Sequence, residues 1–241
     1  MREFCFSLRY SPGVDRYMDA FIEHGSLRSE ATVSALGPSE LWRLELVTGE
    51  PEALERVEPL LVDESLDRES ISARECRGER THSLLEEGRR HRIVYTHLAE
   101  VAHCDAVPFI AAQYLDGGVV YQVVREDDTA RWRIMMQHDE KVGMLYDTLG
   151  AQLADGLRFE FGHLEEVTGW HGSLLSSQSL RSEQREVLEL AVDRGYFETP
   201  REVTLDELAD QLGVPRSTVS YRLRRATAEL AKDFVEEPYR G

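Results

Sequence analysis

Residues 204–231 read TLDELADQLGVPRSTVSYRLRRATAELA, and this stretch predicts a helix-turn-helix. Thr204 followed three residues later by Glu207 is a capping-box pattern, which marks the start of a helix. Gly213 supplies a tight turn, and Pro215 suits the first turn of the next helix, where a missing N–H costs nothing. The apolar stripe of the first helix repeats at helical spacing and comprises Leu205, Leu208, Ala209 and Leu212.

The second helix has two faces of different chemistry. Its predicted buried face comprises Val219, Leu223, Ala226 and Leu230. Its predicted DNA-contacting face comprises Arg216, Ser217, Thr218, Ser220, Tyr221, Arg224 and Arg225. Such side chains bond phosphates and base edges, and the first half of a recognition helix usually enters the major groove. We expect the arginines to position the helix, while Ser217, Ser220 and Tyr221 carry much of the selectivity.

The overall charge is unusual for a DNA-binding protein. The chain has 45 acidic and 28 basic residues, a net charge of −17, and Lys occurs only at Lys141 and Lys232. An acid-rich, lysine-poor surface is typical of a halophile, because molar salt screens repulsion between carboxylates within about 3 Å. A GC-rich genome also favours Arg over Lys, but codon use does not explain the excess of acid. Residues 211–225 carry four arginines and no acid, so the basic stretch coincides with the predicted recognition helix.

The N-terminal part predicts a duplicated β-α-β-β-α-β arrangement, the element order of a ferredoxin-like fold. The first half has strands at 3–10, 30–36 and 41–48, helices at 14–24 and 51–61, and a weak strand near 66–76. The second half has strands at 91–98, 118–125, 130–137 and 157–165, and helices at 103–114 and 139–153. The predicted class is therefore α+β, with an all-α, tri-helical helix-turn-helix domain after it.

Short matches support the duplication and define the domain boundaries. Phe21-Ile22 matches Phe109-Ile110 at an offset of 88 residues, and Trp42-Arg43-Leu44 matches Trp132-Arg133-Ile134 at an offset of 90. Coincidence in a region of short elements is the alternative. The predicted units are residues 1–88 and 89–165 as the two halves, with 77–90 joining them, 166–179 as a linker, and 180–235 as the DNA-binding domain.

The histidines and cysteines offer one weak candidate site. His97, His103 and Cys104 form the one tight His/Cys group, and Cys104 at a helix start would have a lowered thiol pKa. A redox or regulatory role is one interpretation, and buried packing is the other. Their spacing matches no zinc pattern, so we expect no metal site. Three widely spaced cysteines make no disulfide framework and indicate a reduced, cytoplasmic protein.

Residues 180–235 resemble the haloarchaeal bacterio-opsin-activator-type helix-turn-helix family of transcription regulators. The resemblance rests on LRSEQ at the start, Gly195-Tyr196-Phe197, Pro200-Arg201, LDELADQLG and STVSYRLRRA taken together. It implies a tri-helical, sigma-region-4-like DNA-binding domain behind a variable regulatory domain. The N-terminal part is then expected to provide dimerisation, with a small-molecule effector as a further possible partner.

Other function classes find less support. The chain has no phosphate-binding loop, nucleotide-binding glycine fingerprint, nucleophile elbow or HExxH motif, so we expect no enzyme, no catalytic residues and no cofactor. No apolar run approaches 18 residues, so we expect no membrane partner. The alternatives to a regulator that reads double-stranded DNA are a helix-turn-helix acting mainly through contacts with the basal transcription machinery, and a small-molecule enzyme in the N-terminal region.

Overall fold

A computed structural model describes residues 1–167, 180 and 182–236. The chain divides into two compact units, Met1–Thr168 and Gly169–Gly241. The strands are β1 Arg2–Tyr10, β2 Arg28–Ala35, β3 Leu41–Thr48, β4 Arg77–Glu87, β5 His91–His103, β6 Val120–Glu126, β7 Thr129–Met136 and β8 Leu157–Glu166. The helices are α1 Arg16–Glu23, α2 Pro51–Leu61, α3 Val107–Ala111, α4 Val142–Gln152, α5 Ser182–Asp193, α6 Leu205–Leu212 and α7 Arg216–Glu236. The predicted α+β class is confirmed.

One antiparallel sheet of eight strands, in the order β4-β5-β3-β2-β6-β7-β1-β8, organises the first unit. A self-contained ferredoxin-like half would place its first strand between its third and fourth. Here β5 lies between β3 and β4, while β1 lies between β7 and β8. The first strand of each predicted half therefore pairs with strands of the other predicted half, and one sheet holds both, joined where β2 pairs with β6. Among the described residues, strands from both predicted halves, 1–88 and 89–165, belong to this one sheet.

One of the two sequence matches behind the predicted duplication, Trp42-Arg43-Leu44 with Trp132-Arg133-Ile134, is not matched in the orientation of its side chains. Buried and half-buried residues alternate along β3, where Arg43 is buried and Trp42 is half-buried. In β7 the pattern is opposite, with Trp132 buried and Arg133 half-buried. Because successive side chains of a strand face opposite sides, Trp42 and Trp132 lie on different faces of the sheet. The offset of 90 residues is therefore wrong as a structural equivalence, and the duplication itself stays a prediction.

The region between the halves also differs from the sequence prediction. Residues 66–76 contain no strand, only an isolated bridge between Ser70 and Ala106. Residues 77–90, predicted to be a connector, instead form β4 and the turn into β5. β4 is an edge strand with mostly exposed side chains. It therefore tolerates a polar sequence, which is why the sequence pattern did not predict a strand here.

The helices of this unit pack on one face of the sheet. Phe4, Phe6 and Leu8 of β1 belong to a core that includes Ile110 of α3 and Leu149 of α4. A second core collects apolar residues of α1, α2, β3 and β5, among them Phe21, Leu54, Val47 and Val94. The predicted helix at 103–114 shortens to α3, because β5 continues to His103.

The predicted linker 166–179 lies outside the described residues apart from Glu166 and Val167. In the described part of the second unit, α5, α6 and α7 form the predicted three helices around a core of their own. No helix in residues 1–167 and 182–236 has the length and apolar character needed to cross a membrane.

Candidate nucleic-acid interface

Local backbone chemistry sets both ends of α6 and the turn into α7. The Thr204 hydroxyl accepts the Glu207 N–H at 3.3 Å, and the Glu207 carboxylate accepts the Thr204 N–H at 2.8 Å. These two bonds form the predicted capping box, and the Thr204 N–H lowers the pKa of Glu207. Gly213 ends α6 at φ 63°, in the left-handed region where a Cβ would add strain. The capping box therefore sets the start of α6, and Gly213 sets its end and the turn into α7.

A small apolar core orients α7. Val219, Leu223 and Ala226 are buried, as the sequence predicts, and Leu208 of α6 is fully buried. The prediction that Leu230 is buried is wrong, because 42% of it is exposed. The reason is length: α7 continues to Glu236, beyond the part of the helix that the core of this unit covers.

The opposite side of α7 presents one polar stripe. Ser217, Ser220, Tyr221 and Arg224 are exposed, and their spacing of three, four and seven residues puts them on one helix face. Tyr221 is 64% exposed. No described carboxylate forms an ion pair with Arg224. The stripe offers hydroxyls, an aromatic ring and a guanidinium group to one ligand surface.

Residues at the margins of this stripe have partners within the domain. Arg216 pairs with Asp206 of α6 at 3.3 Å, and Arg225 pairs with Glu229 one helical turn later at 3.4 Å. Both arginines are more than half exposed, so these pairs contribute little and can be exchanged for phosphate. Thr218 is half-buried and lies at the edge of the face.

Arg222 has a role that the sequence alone did not indicate. It belongs to the same arginine-rich stretch, but its guanidinium bonds Glu183 of α5 at 2.9 Å and is only 21% exposed. Its position, three residues after Val219 and four before Ala226, places it beside the buried face. We interpret Arg222 as a tie between helices, because its side chain lies on the core side of α7.

The predicted His/Cys group is divided among different partners. His97 bonds Glu40 at 2.8 Å, and His103 lies 3.5 Å from Asp105. Cys104 forms a disulfide with Cys76. The expectation that the cysteines stay unpaired is therefore wrong, because the fold brings together two thiols 28 residues apart. A redox role for Cys104 stays a prediction, now for a pair of cysteines.

A second group of possible metal ligands, Glu3, Cys5 and His163, is the one such cluster among the described residues. Burial and the neighbouring Glu3 raise the pKa of the Cys5 thiol to about 11. A thiol in that state is a poor ligand, because metals bind the thiolate. Glu3 is also held in an ion pair with Arg133. The protonated thiol and the ion pair of Glu3 with Arg133 thus favour a structural role for these residues over metal binding.

Comparison with known proteins assigns a family to each unit. The family model described as HVO_2928_N, N-terminal, matches residues 3–170, and the one described as HTH DNA binding domain matches residues 180–232. The second match covers the capping box, the turn and the polar stripe described above. The resemblance of the C-terminal region to bacterio-opsin-activator-type regulators is confirmed.

Named relatives share the C-terminal region. The dimethyl sulfoxide reductase transcriptional activator of Haloferax volcanii is 47% identical over 53 residues, covering 22% of this chain and 25% of that protein. The activator of the same name in Halobacterium salinarum is 44% identical over 58 residues, 24% of this chain and 26% of that protein. Transcriptional regulator NarO of Haloferax volcanii is 44% identical over 67 residues, 27% and 32% respectively. This chain thus matches a quarter to a third of the length of these relatives.

Proposed function

The chain belongs to the HVO_2928_N family through residues 3–170, and we propose that it is a sequence-specific DNA-binding transcription regulator of a halophilic archaeon. The observation that carries the proposal is the exposed stripe Ser217, Ser220, Tyr221 and Arg224 on a helix of an HTH DNA binding domain. The names of the relatives are those of transcription regulators, which supports a regulator rather than an enzyme. Chromosomal DNA as ligand would place the protein in the cytoplasm.

The stripe is suited to two kinds of DNA contact, with phosphates and with bases. Arg224, one turn beyond Ser220, is suited to a phosphate, which positions the helix without reading sequence. Ser217, Ser220 and Tyr221 come earlier on α7, where side chains reach base edges and thymine methyl groups. Concentrated salt weakens phosphate contacts, so base contacts and apolar packing by Tyr221 should carry more of the affinity.

Arg224→Ala is expected to weaken binding to all DNA sequences by about tenfold, the scale of one lost charge-assisted hydrogen bond. The slope of log affinity against log salt should fall by about one, because one phosphate contact is lost. Fluorescence anisotropy with the gene's own upstream DNA and with unrelated DNA, across a series of KCl concentrations, measures both quantities.

Arg9→Ala is the matched control, because it removes the same charge from an exposed arginine of β1 that pairs with Asp128 and Glu160. Its binding should equal that of the wild type. Unchanged nonspecific affinity in Arg224→Ala at matched salt contradicts the phosphate assignment. If the wild type binds no DNA at all, a helix-turn-helix that acts through contacts with the transcription machinery becomes the better interpretation.

We propose further that the regulator acts as a homodimer through its first unit. β8 is an edge strand, so its outer backbone groups are open to another strand. Phe161 of β8 is 57% exposed, and its ring centroid lies 6.0 Å from that of Tyr146 of α4, which is 40% exposed. A second copy would cover this apolar patch. The anisotropy titration should therefore saturate at two chains per palindromic site, and one chain per site contradicts the dimer.

The disulfide supplies a specific reason to propose redox regulation. Cys104 and His103 line a cleft of about 700 Å³ together with Arg74 and Asp105. The cleft admits a small thiol, which is the effector class we propose. Two such thiols would be oxidised to their disulfide while Cys76 and Cys104 each gain an electron and a proton. The segment before β4 would then separate from the end of β5.

Operator affinity of the wild type is expected to differ several-fold between oxidising and reducing conditions. Cys104→Ser should give one affinity under both conditions, because it has no disulfide to lose. Cys5→Ser is the control, since Cys5 is a free thiol and this variant should respond as the wild type does. Anisotropy in matched redox buffers checks this, and a wild-type affinity that ignores the buffer rules out the switch.

A further inference from the structure

Charged side chains are buried beneath the middle of the eight-stranded sheet. Glu45 of β3 is fully buried and accepts hydrogen bonds from Tyr17 Oη at 2.8 Å and Ser29 Oγ at 2.7 Å. It also pairs with Arg43 Nε and Arg125 Nη1, each at 3.2 Å. One carboxylate thus collects partners from β2, β3, β6 and α1.

A second carboxylate, Glu69, extends this buried cluster. It accepts Arg43 Nη1 at 2.9 Å and lies 3.3 Å from Arg80 Nη2. Burial alone raises the pKa of Glu45 and of Glu69, but the surrounding guanidinium groups outweigh it and hold both values at about 2. Both carboxylates are therefore ionised in the folded protein.

The cluster holds more positive than negative charge. Among the described residues its guanidinium groups are those of Arg43, Arg68, Arg80 and Arg125, and the carboxylates paired with them are Glu45, Glu69 and Asp67. One positive charge is therefore left over. Burial, followed by the field of Arg68, lowers the pKa of His82 to about 4, so this neighbour is neutral. Asp15, which caps α1, also acts on Arg125 although it makes no ion pair with it among the described residues, so it offsets part of this surplus.

Four side chains of this region, those of Arg43, Arg68, Arg80 and Trp132, have buried N–H groups without a hydrogen-bond partner among the described residues, and the carboxylate oxygen Glu45 Oε2 has none either. Arg68 Nε and Nη1 have no hydrogen-bond partner, although the Arg68 side chain is fully buried. Its Nη1 lies 3.8 Å from Glu45, which is too long for a hydrogen bond. The indole N–H of Trp132 is also buried and unpaired. Each such group destabilises the folded protein unless something accepts its hydrogen.

A small cavity lies where these groups meet. Its volume is about 20 Å³, and its polar lining comprises Arg43, Arg68, Glu69, Arg125 and Trp132. This is room for one water-sized particle. Phosphate, sulfate and organic acids are too large. A water molecule fits the space, but it leaves the surplus positive charge without compensation.

We propose that this cavity binds a single chloride ion, which accepts the unpaired N–H groups of Arg68 and Trp132 and neutralises the surplus charge. The ion would join β3, β6 and β7 to the segment between α2 and β4, since those elements carry the lining residues. Burial lowers the pKa of Arg68, followed in effect by Arg43, which is the response of a cation short of negative partners. The stability of the first unit should then depend on chloride itself, in addition to its dependence on ionic strength.

Thermal unfolding of the full chain tests the site in KCl and in potassium gluconate at equal potassium concentration, because gluconate is too large for the cavity. The unfolding midpoint should rise with chloride as binding to the native state predicts. Trp132→Phe keeps an aromatic side chain but removes the indole N–H, so the variant should need about tenfold more chloride for the same rise. Trp42→Phe is the matched control on the opposite face of the sheet and should respond as the wild type does.

Crystals of the wild type grown in KBr give a second, independent readout. Bromide replaces chloride in such sites, and its anomalous signal should appear in this cavity beside Arg68 and Trp132. A cavity that holds only water, without anomalous signal, overturns the proposal. So does an equal chloride dependence of the wild type and Trp132→Phe. If Trp132→Phe does not fold, the bromide position in the wild type decides the question.

Discussion

Glu45→Gln is expected to destabilise the first unit by about 3–5 kcal/mol, the scale found when one partner of a buried ion pair is removed. The amide is nearly isosteric, so the loss reflects charge rather than volume. Arg43, Arg68 and Arg125 would keep their buried charges while losing the carboxylate that they surround. Denaturant unfolding of the full chain, followed by circular dichroism, measures the change.

Glu160→Gln is the control for that measurement. Glu160 pairs with Arg9 at 2.8 Å, but both side chains are about half exposed, so its loss should cost less than about 1 kcal/mol.

The wild type should also lose the stabilising contribution of Glu45 in acid. Its folded pKa of about 2 lies below the ordinary 4.5, so the stabilisation is complete above about 4.5 and disappears as pH falls towards 2. Equal losses in the two variants would contradict the central role of Glu45.

Leu208→Ala is expected to destabilise the DNA-binding unit by about 2–5 kcal/mol, because it leaves a cavity in a small core. Leu208 is fully buried between α6 and the helices that pack on it. Amide hydrogen exchange in the full chain reports the opening free energy of α6 and α7 separately from that of the sheet. Operator affinity should fall with it, because α7 loses its support.

Leu230→Ala makes the same chemical change at the end of the same domain. Leu230 is 42% exposed, so its truncation should change the opening free energy by about 0.5 kcal/mol or less. Equal losses of opening free energy in Leu208→Ala and Leu230→Ala would show that the core extends further along α7 than the structure indicates. The pair therefore tests the stability of the domain and the boundary of its core together.

The sequence predicted the DNA-binding unit well because its signals are local. A capping box spans four residues, a turn glycine needs one, and the apolar stripe of a helix repeats within one or two turns. Residues 204–207 and Gly213 therefore define the element boundaries without knowledge of the rest of the chain. The polar stripe on α7 follows, because the buried positions Val219 and Leu223 determine which side remains exposed.

The first unit shows what local signals leave open. Alternation along LWRLELVT predicts β3, and by itself would put Trp42, Leu44 and Leu46 in the core. In the structure Arg43 and Glu45 face inward instead. A shift of one residue in the pairing of a strand reverses its faces, and only the partners across the sheet select between the two choices.

The sequence by itself thus determined the α+β class, most helices and strands, and the exposed polar stripe of α7. Tertiary structure decided the positions of β1 beside β7 and of β5 beside β3, the Cys76–Cys104 disulfide, and the burial of the charges around Glu45. The physical reason is that these features depend on contacts between residues far apart in the sequence. A buried carboxylate is stable only beside cations such as Arg125, which is 80 residues away from Glu45 and becomes its neighbour only when the sheet forms.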